Sequence, residues 1–311
     1  MTGKIPVGET IARAYGFAFG NILNNLGVIW IPVAILYGLV FLFYPSYMGL
    51  MAALISRDFE AVRQALPYLI LGYVLLFVLL IAQVAALTKE ALGLRAGSAW
   101  LQFPFGAAMW RLLIGYIALM LVCILLYIAM ILIAVVGGIV GGLVASLASG
   151  ASSKLIVGAV TVIFALGVFC ALIYCVVRLS FLLAPAAVEG PKALRRGWAL
   201  TRGNFWRIFV LILSVLLPLI VIECLYLYFV VGPDLLVPPH MSGMTQQGLE
   251  QWNAQRSAGM LALMQRMHDY WYIVYPIGLL FSLIMYGLFA GLSAFAYRAL
   301  VPPDHPVPEA P

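Results

Sequence analysis

Glu223 is the residue whose type and place most call for chemistry. It is the one charged group between 208 and 233, sixteen residues after Arg207, or roughly 24 Å along a helix rising about 1.5 Å per residue. An acid at membrane depth is a site candidate by default. With Tyr226 and Tyr228 nearby it can accept hydrogen bonds and line a path; a carboxyl that stays protonated or reaches the outer interface is the alternative. Beyond it the inventory is thin. The sequence has no P-loop, HExxH, GxSxG or paired carboxylates. Its 3 histidines and 11 acids leave few groups for hydrolysis or metal chemistry. Cys170 and Cys175 are five apart and share no helix face, and with Cys123 and Cys224 they fall in apolar blocks, where a thiol behaves as a small hydrophobe. Neither catalysis nor a cofactor is expected.

Two further groupings bear on chemistry. Residues 232–270 carry His240, Met241, Met244, Met260 and His268, soft ligands suited to Cu(I), though at spacings that match no regular metal motif. The same stretch sets Leu249, Trp252, Leu263, Met264 and Met267 at helical spacing, so an amphipathic helix on the outer leaflet or over the bundle is the expectation. The second grouping is basic. Pro191 suits a first helical turn, after which Lys192, Arg195, Arg196 and Arg202 lie to one side and Leu194, Trp198 and Phe205 to the other. With Arg207, these residues describe a short helix in the inner interface whose cations and Trp198 meet anionic headgroups; arginines that only fix topology are the competing reading. Gly203-Asn204 breaks the helix, and Asn204 is placed to cap the next one near Trp206.

These groups need elements to hold them, and composition says which kind. Charged residues make up 9% of the 311 against about 25% in soluble domains, which excludes a water-soluble globule. No charge occurs in 14–56, 64–88, 112–153, 155–177 or 270–297, and a span needs about 20 apolar residues. The pattern predicts an all-α, polytopic membrane bundle of six helices, near 26–44, 66–87, 112–135, 155–183, 208–231 and 273–297. The first block is too long for a signal-peptide core and lacks a small-residue cleavage site, so it is expected to be retained.

Orientation follows from the 17 Lys and Arg. With the N-terminus inside, only Arg57, Arg63, Lys154, Arg256 and Arg266 fall outside; the rest, including Lys4, Arg13, Lys89, Arg95, Arg111, Arg178 and Arg298, are cytoplasmic. Both termini and a Pro-rich tail at 301–311 are therefore expected inside. Trp110, Trp206 and Trp271 stand at span starts, at headgroup level. Pro32, Pro218 and Pro276 each free a backbone carbonyl that a neighbour or water must satisfy; such kinks are absorbed by packing or line a path. Gly137, Gly138, Gly141 and Gly142 give overlapping GxxxG spacings, which suit close packing in the bundle, a homodimer seam or a mobile outer loop.

The chain also repeats itself. Residues 13–31, RAYGFAFGNILNNLGVIWI, align without a gap with 196–214, RGWALTRGNFWRIFVLILS. Arg13 meets Arg196, Tyr15 meets Trp198, and Gly20-Asn21 meets Gly203-Asn204. A weaker copy pairs Leu94-Arg95-Ala96-Gly97 with Leu194-Arg195-Arg196-Gly197 and Trp110-Arg111 with Trp206-Arg207. A single membrane domain of three units, about 5–92, 93–186 and 187–300, follows, each a cytoplasmic amphipathic segment plus a helical hairpin.

The run 193–207, ALRRGWALTRGNFWR, with a last helix ending Tyr297-Arg298, resembles the bacterial six-span YciC-like inner-membrane family. It is also similar to the membrane domain ahead of some glycerophosphoryl diester phosphodiesterase barrels. The likeness is sharp at 191–213 and 8–25. It implies an inner-membrane location and a link to lipid or glycerophosphodiester metabolism; residues 299–311 hold no such barrel, and no catalytic residue carries over. The expectation is a non-enzymatic inner-membrane protein that binds or moves an amphiphile or supports envelope homeostasis. A secondary transporter of a small solute, using Glu223 and the Pro-kinked helices, is the alternative. Expected partners are membrane lipids, and a second copy or another membrane protein, not nucleic acid.

Overall fold

A computed structural model describes residues 3–56, 58–94, 105–147, 151–190, 193–226, 228 and 245–301. The side chains of some helical residues, Glu223 among them, lie outside that description. Among the described residues every regular element is a helix: α1 Val7–Gly20, α2 Ile22–Ser56, α3 Phe59–Ala91, α4 Ala107–Leu147, α5 Ala151–Ser180, α6 Leu183–Glu189, α7 Ala193–Leu200, α8 Phe205–Tyr226, α9 Gln246–Asp269 and α10 Trp271–Leu300. Six stretches, in α2, α3, α4, α5–α6, α8 and α10, are long and apolar enough to cross a membrane. The chain is a multi-pass membrane protein.

The helices run longer than their apolar blocks suggest. The expected first span stops at 44, before Pro45, yet α2 carries both Pro32 and Pro45 and continues to Ser56 for 35 residues, about 52 Å at 1.5 Å per residue. Proline ends helices in water because a carbonyl goes unpaired; within a bundle, neighbouring groups and local adjustment tolerate it. Where α2 gives way to α3, Asp58 N donates to Ala53 O at 2.9 Å. Asp58 caps α3, its Oδ1 accepting from Glu60 N (3.2 Å) and Ala61 N (3.1 Å). The two helices run antiparallel, with the Phe43 ring against Gly72 and Asn24 Nδ2 donating to Glu90 Oε1 at 2.6 Å.

The fourth span also departs from expectation. Instead of running unbroken to 183, α5 stops at Ser180 and the chain turns at Phe181-Leu182 into α6, which is buried along Leu183, Ala184, Ala186, Ala187 and Val188. Pro185 sits in the first turn of α6, where its missing N–H costs nothing.

Packing concentrates at one end of the bundle, where Lys89, Arg178 and Arg298 close helices and Arg111 and Arg207 open them; it is called the basic end below. Buried residues such as Leu87, Leu92, Met109, Leu112, Leu183, Ile208, Leu211, Leu292 and Tyr297 all gather there. Away from it, α4 exposes Leu125, Ile128, Leu132 and Val136, and α5 exposes Val162, Ile163 and Leu166, as suits faces turned to hydrocarbon.

Close helix approach occurs where sequence spacing did not point. The glycine run expected to pack or to form a loop is part of α4, and a side chain at Gly137, Gly138 or Gly142 would meet nothing within 4 Å. A tight seam sets Gly287 and Gly291 of α10 against Ala18 and Ala14 of α1. A Cβ on Gly291 would lie 3.2 Å from Ala14 Cα, and one on Gly287 would lie 3.4 Å from Ala18 Cβ. Small residues four apart on both helices permit this contact.

Candidate functional site

The basic end is built from one extended segment and two short helices laid across the span ends. Residues 3–6 run along the start of α8. Asn204 Nδ2 donates to Gly3 O (3.1 Å), its Oδ1 accepts from Ile5 N (3.3 Å), and Arg207 donates to Ile5 O (2.7 Å). Asn204 precedes α8 as expected, and its carboxamide also ties the backbone of residues 3 and 5 to the start of that helix. Before it, Gly203 at φ +79° turns the chain out of α7, a conformation a Cβ would strain.

Arg178 organises the junction of α5 and α7. It is 6% exposed. Its Nε donates to Thr201 Oγ1 (3.2 Å), one terminal nitrogen to Tyr174 Oη (2.8 Å) and the other to Trp198 O (2.8 Å). Thr201 Oγ1 in turn donates to Trp198 O at 3.0 Å. The guanidinium also lies 3.8 Å from the centre of the Trp198 ring and 5.3 Å from that of Tyr174. Taking a cation out of water costs several kcal/mol, and hydrogen bonds to a charged group return about 1.5–3 kcal/mol each. Three such bonds and a ring face thus make a buried arginine tenable while fastening α7 to α5. Every partner is neutral.

Of the residues expected to meet headgroups, Arg195 and Arg202 are exposed, and Arg196 reaches over the Tyr297 ring at 5.4 Å. Trp198 does not simply face the apolar side, since its ring and carbonyl serve Arg178. Arg207 is half-buried against the 3–6 segment. Pro191 and Lys192 lie outside the described residues, as do Arg95, Ala96 and Gly97 of the weaker repeat copy. Carboxylates with described side chains at this end are Glu9, 2.8 Å from Arg13, and Glu90, held by Asn24. The end is strongly cationic.

Beneath this cationic end lies a half-open cavity of about 660 Å³, within the ~300–1,000 Å³ range of ligand pockets. Leu80 and Val84 of α3, Tyr116 of α4, Leu172, Ile173, Val176 and Val177 of α5, Phe209, Ile212 and Leu216 of α8, and Tyr286, Phe289 and Ser293 of α10 line most of it. Ser293 Oγ turns back to Ala290 O at 3.1 Å, so the two tyrosines are the main polar groups offered to the interior. Depth follows from residue counts. Phe209 to Leu216 spans two to nine residues from Arg207, and Ser293 to Tyr286 five to twelve from Arg298, or roughly 3 to 18 Å at 1.5 Å per residue. That is about one leaflet of a hydrocarbon core roughly 30 Å thick.

Set against protein-family models, curated proteins and solved structures, the chain matches none.

At the other end, α9 forms where helical spacing was expected, opened by Thr245 Oγ1 accepting from Gly248 N at 3.2 Å. His268 stacks on Tyr44 (3.9 Å between centroids, 3°) and on Phe41 (5.0 Å, 28°), which makes it a docking group for α9 on α2. His240, Met241 and Met244 lie outside the described residues, as do the side chains of Met260, Met264 and Met267. Glu223 stands on α8, its side chain outside the description; Tyr228 nearby is exposed. Sequence reading treated Arg178 only as the end of a span. The signal for more was present, since Tyr174 four residues earlier shares its helix face.

Proposed function

We propose that this chain is a non-enzymatic inner-membrane protein that binds or moves an amphiphile, most simply a lipid whose chain enters the 660 Å³ cavity. The cavity carries the reading: it is walled almost wholly by apolar side chains and lies at the depth of one leaflet. Solutes with many polar groups need convergent hydrogen-bond partners, as transporters provide near mid-membrane, and Tyr116 and Tyr286 are few. Arg195, Arg196, Arg202 and Arg207, with Trp198, form the rim at which a headgroup would rest, each cation near an anionic leaflet contributing about 1 kcal/mol.

In this reading the basic end and both termini are cytoplasmic, as the Lys/Arg distribution indicates. The three-unit organisation and the likeness to the YciC-like family belong to the same proposal. Two successions support the repeat: α1 then α2, and α7 then α8, each place a short helix and a turn at an asparagine ahead of a span. The test is mass spectrometry of the protein purified in mild detergent. An amphiphile retained at fixed stoichiometry through extended washing is the expected result; bare protein, or a polar solute retained instead, would refute the reading.

A further inference from the structure

Arg178 carries more than the fastening of α7. A guanidinium has five N–H donors, and three are used, on Thr201, Tyr174 and the Trp198 carbonyl. Two N–H groups, one on each terminal nitrogen, have no partner among the described residues. The residue is 6% exposed, no carboxylate among the described side chains is paired with it, and Arg195 and Arg196, on the same short helix as Trp198, carry charge of the same sign. Buried charges are ordinarily paired. An arginine keeping two fork donors without an anion, inside a positive field, has the chemistry of an oxyanion receptor, because the planar fork matches phosphate oxygens in pairs.

The surroundings suit such a guest. Trp198 and Tyr174, the rings that flank the guanidinium, are themselves 38% and 40% exposed, so the site borders the bundle surface at the level where aromatic rings meet headgroups. Val177, adjacent in sequence, lines the cavity. Arg178 and Tyr174 share the face of α5 turned to α7, while residues 172, 173, 176 and 177 line the cavity from another face of the same helix, so a phosphate at Arg178 is held at the edge of the bundle.

We infer that Arg178 binds a phosphate oxyanion, that of a phospholipid headgroup, and so favours phosphate-bearing lipids at the basic end. This rests on the amphiphile reading above and names the class of headgroup. Inorganic phosphate shares the chemistry, and the experiment separates the two sources.

Native mass spectrometry on the full chain in nanodiscs would compare retained phosphatidylglycerol with a galactolipid of the same acyl chains, which has no phosphate. Wild type, Arg178→Lys, Arg178→Met and Thr201→Val would be measured together, with accessibility of a Cys at Ala199 reporting whether α7 stays docked. Losing two charge-assisted bonds should reduce the preference for phosphatidylglycerol by about tenfold or more in Arg178→Met, and less in Arg178→Lys, while the galactolipid remains bound. Thr201→Val, which loosens α7 without removing the cation, should keep the preference. In galactolipid nanodiscs, added inorganic phosphate that raises the wild-type melting temperature but not that of Arg178→Met would identify free phosphate as the guest; no such shift, with the lipid preference present, identifies the headgroup. An unchanged preference in Arg178→Met, or an equal loss in Thr201→Val, would overturn the inference and leave Arg178 as an anchor. Wild type retaining neither lipid would instead refute the amphiphile reading itself.

Discussion

Tyr15 donates from its hydroxyl to the carbonyl of Ser214 at 3.1 Å, and that carbonyl is the one Pro218, four residues on in α8, cannot serve. The carbonyl freed by Pro218 is thus served from α1, by a residue 199 positions away in sequence.

This pairing makes a double-mutant prediction. Tyr15→Phe should cost about 1 kcal/mol, in the range of interhelical side-chain hydrogen bonds in membranes, seen as a lower melting temperature in detergent. In a Pro218→Ala background, where residue 218 regains an N–H for Ser214 O, the same change should cost close to nothing. Equal costs in both backgrounds would show that the carbonyl is not what Tyr15 serves.

Gly291 and Gly137 provide a second contrast. Gly291→Ile must push Ala14 Cα from 3.2 Å, an overpacking that costs about 1–3 kcal/mol, and should separate α1 from α10. Gly137→Ile meets open space and should leave stability unchanged when measured beside it. If the two variants melt alike, the α1–α10 seam is not tightly packed.

His268 is expected to hold α9 through its rings. His268→Ala removes stacks on Tyr44 and Phe41, each contributing about 0.5–1.5 kcal/mol, and should make α9 several-fold more sensitive to protease. His268→Phe should behave as wild type, since an aromatic face remains. Equal sensitivity in both variants would argue for a role of the imidazole nitrogens.

Topology is tested by impermeant thiol labelling in a background free of Cys123, Cys170, Cys175 and Cys224. A Cys at Ser242 should react from outside the cell and a Cys at Ala199 should not; the reverse would invert the bundle.

The six spans were legible because charge-free blocks of sufficient length are hard to read otherwise. Their ends were not: the first was expected at 44, while α2 passes through Pro45 to Ser56. The break after Ser180 was hidden because residues 181–188 are as apolar as the span they leave. Glycine spacing pointed to Gly137–Gly142, while the working seam, Gly287-x3-Gly291 on Ala14-x3-Ala18, only stands out once α1 and α10 are known to touch. At the site, the cations around 195–207 were visible as a run. Their division of labour was not, because Arg178 and Thr201 are 23 residues apart and Ile5 meets Asn204 across 199.

The measurement that bears most directly on the central claim is lipid retention when the cavity is filled from its walls. Ile212→Trp on α8 and Ala184→Phe on α6 place bulk from two different helices into the same space, and only variants with near-wild-type melting temperature would be scored. Quantified by native mass spectrometry against wild type prepared identically, both should lose the co-purifying amphiphile, while Leu132→Trp on the exposed face of α4 should retain it. If the two cavity variants keep the same amphiphile at the same stoichiometry as wild type, the cavity is not its binding site and the account fails.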